Sequence, residues 1–75
     1  MTESTPTQAV DIVLPVHNEQ RDLPGAVRRL HDYLSETLPY RWRITIADNA
    51  STDETPVLAD ALAADLPGVR VLHLD

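Results

Sequence analysis

Residues 42–54 read WRITIADNASTDE, and two kinds of structure meet inside that stretch. Trp42, Ile44 and Ile46 alternate with Arg43 and Thr45, and β-branched residues dominate, so the first half has the period-2 pattern of a strand. The pattern then stops. Asp48, Asn49, Ala50 and Ser51 form a short, largely polar cluster whose side chains hydrogen-bond their own main chain, and a turn is expected there. Ser51 and Glu54 have the spacing of a capping box, in which each side chain accepts from the other's backbone N–H at a helix start. A strand therefore feeds a helix through an acidic turn. In open α/β sheets such junctions lie at the carboxyl ends of the strands, where ligands bind.

Working upstream, 10–14 (VDIVL) is nearly all apolar, which predicts a short strand buried on both faces, with 15–19 (PVHNE) as the loop at its carboxyl end. Leu23, Val27, Leu30, Leu34 and Leu38 then recur at close to the helical period, with Tyr33 beside them. Asp22 is placed as the N-cap and Pro24 is tolerated in the first turn. Arg28 and Asp32 are spaced for an i,i+4 pair on a solvated face, and Pro39 ends the helix. Downstream, Val57, Leu58, Ala61, Leu62 and Leu66 form the expected stripe of a second helix. It starts either at the Ser51 cap or at Pro56 and is stopped by Pro67 and Gly68. A third strand is expected over 69–74 (VRVLHL). Helical crossovers require parallel neighbours, so the order β-α-β-α-β predicts a three-stranded parallel sheet, half of a doubly wound Rossmann-like α/β domain. The loop 15–19 and the turn 48–51 then sit side by side at one end of it.

Composition narrows the function. The chain has 75 residues, at most one small domain, and a chain of that size buries only about 60% of its unfolded surface. Hydrophobic residues make up 43%, enough for a core, and the absence of cysteine rules out disulfides and thiolate metal sites and suits a reducing, cytoplasmic setting. Six basic against twelve acidic residues leave a net charge of −6, which argues against nucleic acid as a partner because phosphate neutralisation needs a basic face. No apolar run approaches the ~18 residues of a membrane span. Residues 1–8 are polar, rich in threonine, and read as a disordered leader to a domain at 9–75. A dinucleotide-binding loop is excluded, because neither of the two glycines, Gly25 and Gly68, lies in the first strand-to-helix turn.

Leu14-Pro15-Val16-His17-Asn18-Glu19 and the run from Asp48 to Thr55 (DNASTDET) resemble two motifs of the family-2 inverting glycosyltransferases. That family carries Val-Ile-Pro-x-Tyr-Asn-Glu after its first strand and Asp-Asp-Gly-Ser-x-Asp-Gly-Thr after its second. The pair, in order and in βαβ context, is specific where either alone is weak. The look is closest to polyprenol- or dolichol-phosphate mannosyl- and glucosyltransferases. The resemblance implies the amino-terminal, nucleotide-binding half of a GT-A domain, a donor such as GDP-mannose or UDP-glucose, and a polyprenyl phosphate acceptor at the cytoplasmic face of a membrane. Carried over by residue, Pro15, His17 and Glu19 would wall the base and ribose, and Asp48 and Asn49 would face the base edge. His17, Asn49 and Ala50 depart from the pattern, standing where Tyr, Asp and Gly are usual.

The family's Mg²⁺ or Mn²⁺ site and its catalytic base follow a later strand, so the resemblance implies no metal ligand and no catalytic residue within these 75 residues. The plainer readings stay open. Asp48, Asn49 and Ser51 also suit turn and cap roles, and Glu19 an exposed loop acid. Asp53 and Glu54 suit a helix start, Trp42 a packing role, and His31 and His73 lack companions at metal-ligand spacing. The alternative to an enzyme portion is a truncated, non-catalytic α/β module that binds a nucleotide or serves as an interaction domain. In either case an uncovered sheet edge and face would favour self-association.

Overall fold

A computed structural model describes residues 9–75; the leader expected at 1–8 lies outside them. The elements are β1 (Ala9–Val16), α1 (Leu23–Thr37), β2 (Arg41–Asn49), α2 (Thr55–Asp65) and β3 (Val69–Leu74). The strands form one parallel sheet in the order β1-β2-β3, with Leu14 opposite Ile46 and Ile46 opposite Val71. This is the β-α-β-α-β half-domain that the sequence predicts.

Both helices pack on one face of the sheet. Leu23, Val27 and Leu34 of α1, Ile44 and Ile46 of β2, Ala59 and Leu62 of α2 and Val69 of β3 form one buried cluster, with Ile12, Leu14, Val16 and Val71 packed against it. Side chains alternate across a strand, so Asp11, Val13, Arg43, Thr45, Arg70, Leu72 and Leu74 fall on the other face, which no described element covers. Thr45 is nevertheless only 1% exposed. Its hydroxyl donates to Asp11 Oδ1 at 2.8 Å, Arg70 Nε donates back to that hydroxyl at 3.0 Å, and Arg43 reaches Asp11 Oδ2 at 3.2 Å. The Thr45 hydroxyl, followed by the two guanidinium groups, holds the Asp11 carboxyl below its ordinary range against the opposing effect of burial.

Several local expectations are corrected. β1 is not buried on both faces: it is an edge strand whose inner residues are half-buried while Val13 is 55% exposed. It also runs on through Pro15 and Val16, and β2 runs through Asp48 and Asn49, because the parallel ladder pairs Val16 with Asp48. Arg28 pairs with Asp65 of α2 at 2.9 Å rather than with Asp32. Asp22 occupies the N-cap position of α1 without a side-chain cap bond. In α2 the buried residues are Thr55, Ala59 and Leu62, while Val57 of the expected stripe is 61% exposed. Four alanines and one threonine in that helix blur its apolar edge.

The connection into β3 needs glycine. Gly68 has φ 85° and its Cα abuts the Trp42 ring, where a Cβ would come within 3.2 Å. Trp42 is half-buried, with the His31 ring edge-on at 5.2 Å, and fills the packing role expected of it.

Candidate nucleotide site at the carboxyl end of the sheet

The parallel register brings the β1–α1 and β2–α2 loops together, and a set of hydrogen bonds joins them. The Asn18 N–H donates to Ser51 Oγ at 2.8 Å, the Glu19 N–H to Thr55 Oγ1 at 2.8 Å and the Gln20 N–H to Asp53 Oδ2 at 3.3 Å. In return, Asn18 Oδ1 accepts from the Thr52 N–H at 2.8 Å and the Asp53 N–H at 3.3 Å, and Gln20 Oε1 accepts from the Glu54 N–H at 2.9 Å. The expected capping box is therefore absent. Ser51 and the Glu54 amide are engaged by the neighbouring loop, and Asp53 Oδ1 takes the Thr55 N–H instead, at 2.8 Å. Burial raises the Asp53 carboxyl, but the Thr55 hydroxyl and the Thr55 and Gln20 amides outweigh it and hold that group below its ordinary range.

The five candidate residues are not equivalent in this frame. Pro15, His17, Glu19 and Asn49 are exposed at the end of the sheet. His17 bridges the loops, its Nδ1 donating to the Asn49 carbonyl at 2.7 Å. Glu19 turns the chain into α1, its carbonyl accepting from the Asp22 and Leu23 N–H groups, while its carboxylate makes no hydrogen bond among the described residues. Pro15 and Glu19, with Leu14, Val16, Asp22 and Leu23, line a depression of about 260 Å³. A larger groove of about 460 Å³ lies between α1 and α2, away from these loops.

Asp48 differs from the other four: it is 3% exposed. Alternation along β2 turns it to the helix side, where Oδ2 lies 3.3 Å from Nδ1 of His73 on β3, and the other ring nitrogen of His73 lies 2.9 Å from Asp60 Oδ1 on α2. Oδ1 of Asp48 is buried without a partner among the described residues. The hydrogen bonds to Asp60 and then Asp48 raise the His73 pKa against partial burial. This Asp-His-Asp chain is invisible in the sequence, where its members stand at 48, 60 and 73 with no common motif. The parallel pairing of Asp48 with His73 is what creates it.

The residues whose hydrogen bonds latch the two loops together also differ from expectation. The sequence assigns Ser51, Asp53 and Glu54 to a helix cap and gives Asn18 and Gln20 no role. The signal available was the polar character of both loops, with each supplying short acceptors to the other's free N–H groups. Among the described residues no three His, Asp or Glu side chains converge as metal ligands. Chemically, the arrangement offers two hydrogen-bonded loops with the exposed Glu19 carboxylate, the exposed Asn49 side-chain amide and the His17 ring at the mouth of a parallel sheet.

The residues from 11 to 75 match the model of the family described as glycosyl transferase family 2. The chain is 38% identical over 69 residues to polyprenol monophosphomannose synthase of Mycolicibacterium smegmatis, covering 91% of this chain and 24% of that protein. It is 37% identical over 67 residues to glycosyltransferase AglD of Haloferax volcanii, covering 88% of this chain and 11% of that protein. It is 36% identical over 58 residues to undecaprenyl-phosphate 4-deoxy-4-formamido-L-arabinose transferase of Salmonella choleraesuis, covering 77% and 17% respectively. The chain thus spans a quarter or less of the length of these relatives. With the paired loops in their βαβ frame and a family match over nearly its whole described length, the chain belongs to glycosyl transferase family 2.

Proposed function

We propose that the chain is the nucleotide-binding portion of a glycosyltransferase that moves a hexose, mannose or glucose, from a GDP- or UDP-sugar to a polyprenyl phosphate. The observation that carries this reading is the convergence of exposed His17, Glu19 and Asn49 at the carboxyl ends of two adjacent parallel strands, on loops locked to each other. Ligands of open α/β sheets bind at that end. The names of the polyprenol- and undecaprenyl-phosphate relatives support the acceptor class.

In this reading Pro15 and His17 flank the base, Glu19 accepts from ribose hydroxyls and the Asn49 side chain meets the base edge. Asp48, named with them from the sequence for the base edge, is the buried member of the set, its carboxylate turned to the helix side against His73. In the transfer itself an acceptor oxygen bonds to the anomeric carbon as the bond from that carbon to the diphosphate breaks. These residues hold the donor for that step. A divalent ion, Mg²⁺ or Mn²⁺, is part of the proposal for the whole enzyme, with ligands outside this chain. The described residues offer no ligand set that fits one. The reaction would take place at the cytoplasmic face of a membrane. No described helix is long and apolar enough to cross one.

Titration of the ¹⁵N-labelled chain with GDP-mannose and with UDP-glucose tests this, with ATP as the control. Saturable shifts confined to residues 15–19 and 48–51 with one of the two donors are expected. Shifts that are equal for ATP, or absent from both loops, would reject the reading.

A further inference from the structure

His17 has two ring nitrogens, and each meets a group whose polarity is fixed by something else. The Asn49 carbonyl, 2.7 Å from Nδ1, can only accept, so Nδ1 carries a proton. The Asn18 side chain lies 3.3 Å from Nε2 through its Nδ2. The orientation of that amide is set by the second loop: Oδ1 accepts from the Thr52 and Asp53 N–H groups, which leaves Nδ2 for the ring. An NH₂ group can only donate, so Nε2 accepts and carries no proton. Two independent partners on two loops select the same Nδ1–H tautomer. Asn18 can serve both sides because its backbone is left-handed, with φ 51°, a conformation that Asn tolerates better than other side chains.

We propose that Asn18 is a positioning residue of the nucleotide site: it holds His17 as the Nδ1–H tautomer with both nitrogens engaged, so that the ring meets a nucleobase with its face and reads none of its hydrogen-bonding groups. The proposal rests on the reading that a nucleotide binds between these loops. Its consequence is a division of labour in base selection. His17 supplies a flat wall that suits any base. Discrimination passes to Asn49, which is exposed and whose side chain makes no hydrogen bond among the described residues. An amide there presents both a donor and an acceptor to the base edge.

Long-range ¹H–¹⁵N correlation spectra of the histidine-labelled chain without ligand give the first test. A protonated-type Nδ1 and an unprotonated-type Nε2 are expected for His17. The reverse pattern, or an average of the two, would overturn the proposal, and this measurement needs no variant. Asn18→Asp keeps an oxygen for the Thr52 and Asp53 amides but turns an oxygen toward Nε2. The ring should then take a proton on Nε2 as well, while exchange protection of the Thr52 and Asp53 amides stays; an unchanged Nε2 in a folded variant counts against the proposal.

The second test is competition between UDP and GDP. His17→Phe should weaken both by the same factor, leaving their ratio within about threefold of the unaltered chain, whereas a ratio moved by more than about tenfold would show that the ring nitrogens read the base. If neither nucleotide binds the unaltered chain, the nucleotide reading fails, and the ring assignment is still decided by the spectra.

Discussion

His73 and Asp48, paired across β2 and β3, place a histidine ring nitrogen 3.3 Å from a carboxylate that is 3% exposed. Asp60 holds the other ring nitrogen, so protonated His73 satisfies two acceptors at once. A group whose folded pKa is raised, as that of His73 is from 6.5, adds stability that is fully present below the unfolded value and is lost as pH rises through the folded one. The melting temperature should therefore fall as pH climbs from about 6.5 into the mildly alkaline range. His73→Asn should flatten that limb. Asp11 and Asp53 act at the opposite end: both are lowered from 3.8, so their contributions are present above that value and disappear as pH falls through the folded ones. Thermal melts of the two chains between pH 3 and 9 check both limbs; an alkaline limb that persists unchanged in His73→Asn would show that another group causes it.

Glu19 and Asp48 should separate binding from stability. Glu19→Ala removes an exposed carboxylate with no partner among the described residues, so the fold should keep its melting temperature. Loss of a charge-assisted hydrogen bond worth about 1.5–3 kcal/mol would raise the donor dissociation constant roughly 10- to 150-fold. Asp48→Ala instead breaks a buried polar chain and should cost about 1–3 kcal/mol of stability. Urea denaturation alongside calorimetric titration distinguishes the two. Donor affinity that survives Glu19→Ala unchanged removes that residue from the site.

Asp48 also shows where sequence reading reaches its limit. The strand periods, the prolines and the turn chemistry sufficed for five elements in the right order, because each is a local property of the chain. The burial of β1 departs from expectation for a non-local reason: VDIVL reads the same whether a strand is central or at an edge, and only the sheet order decides. The candidate site was legible as two loops side by side. Which face each side chain takes at the strand end was not, since Asp48 and Asn49 look alike in a turn and become opposite faces once the ladder extends through both. The latch was hidden for a similar cause. Ser51 and Glu54 have capping-box spacing, yet Asn18 and Gln20 reach the same groups across the sheet end.

Ala50 holds a left-handed conformation, φ 52°, at the position where the family motif has glycine. Its amide is tied to the Leu74 carbonyl at 2.9 Å, so the turn cannot relax out of it without losing that bond. An L-residue pays about 1–2 kcal/mol there. Ala50→Gly should remove that strain while adding about 0.4–1 kcal/mol of unfolded-chain entropy. A net gain of roughly 1 kcal/mol, or about 4–8 °C in melting temperature for a domain of this size, is expected. A decrease in stability would mean that the Ala50 methyl makes a packing contribution larger than its strain.

The sheet face that no described element covers leads to a prediction about the chain in solution. Val13, Leu72 and Leu74 stand 55%, 44% and 49% exposed on it, beside the Asp11, Arg43 and Arg70 cluster, and among the described residues β1 and β3 have no further strand beyond them. Apolar rows next to unpaired strand groups favour pairing with another copy, and a core this small leaves little stability to oppose partial opening. The net charge of −6 works against association, but its reach is only about 8 Å at physiological salt. Self-association that strengthens with salt and concentration is the expected outcome. Leu72→Lys should suppress it, by placing a charge opposite Ala47 and next to Leu74 on that face without touching the helix-side core. Sedimentation equilibrium over about a hundredfold concentration range, at low and high salt, measures both effects, with the salt comparison separating apolar from charge-driven contact. A strictly monomeric chain under all these conditions would mean that the face is too small or too charged at its Asp11 end to hold a second copy.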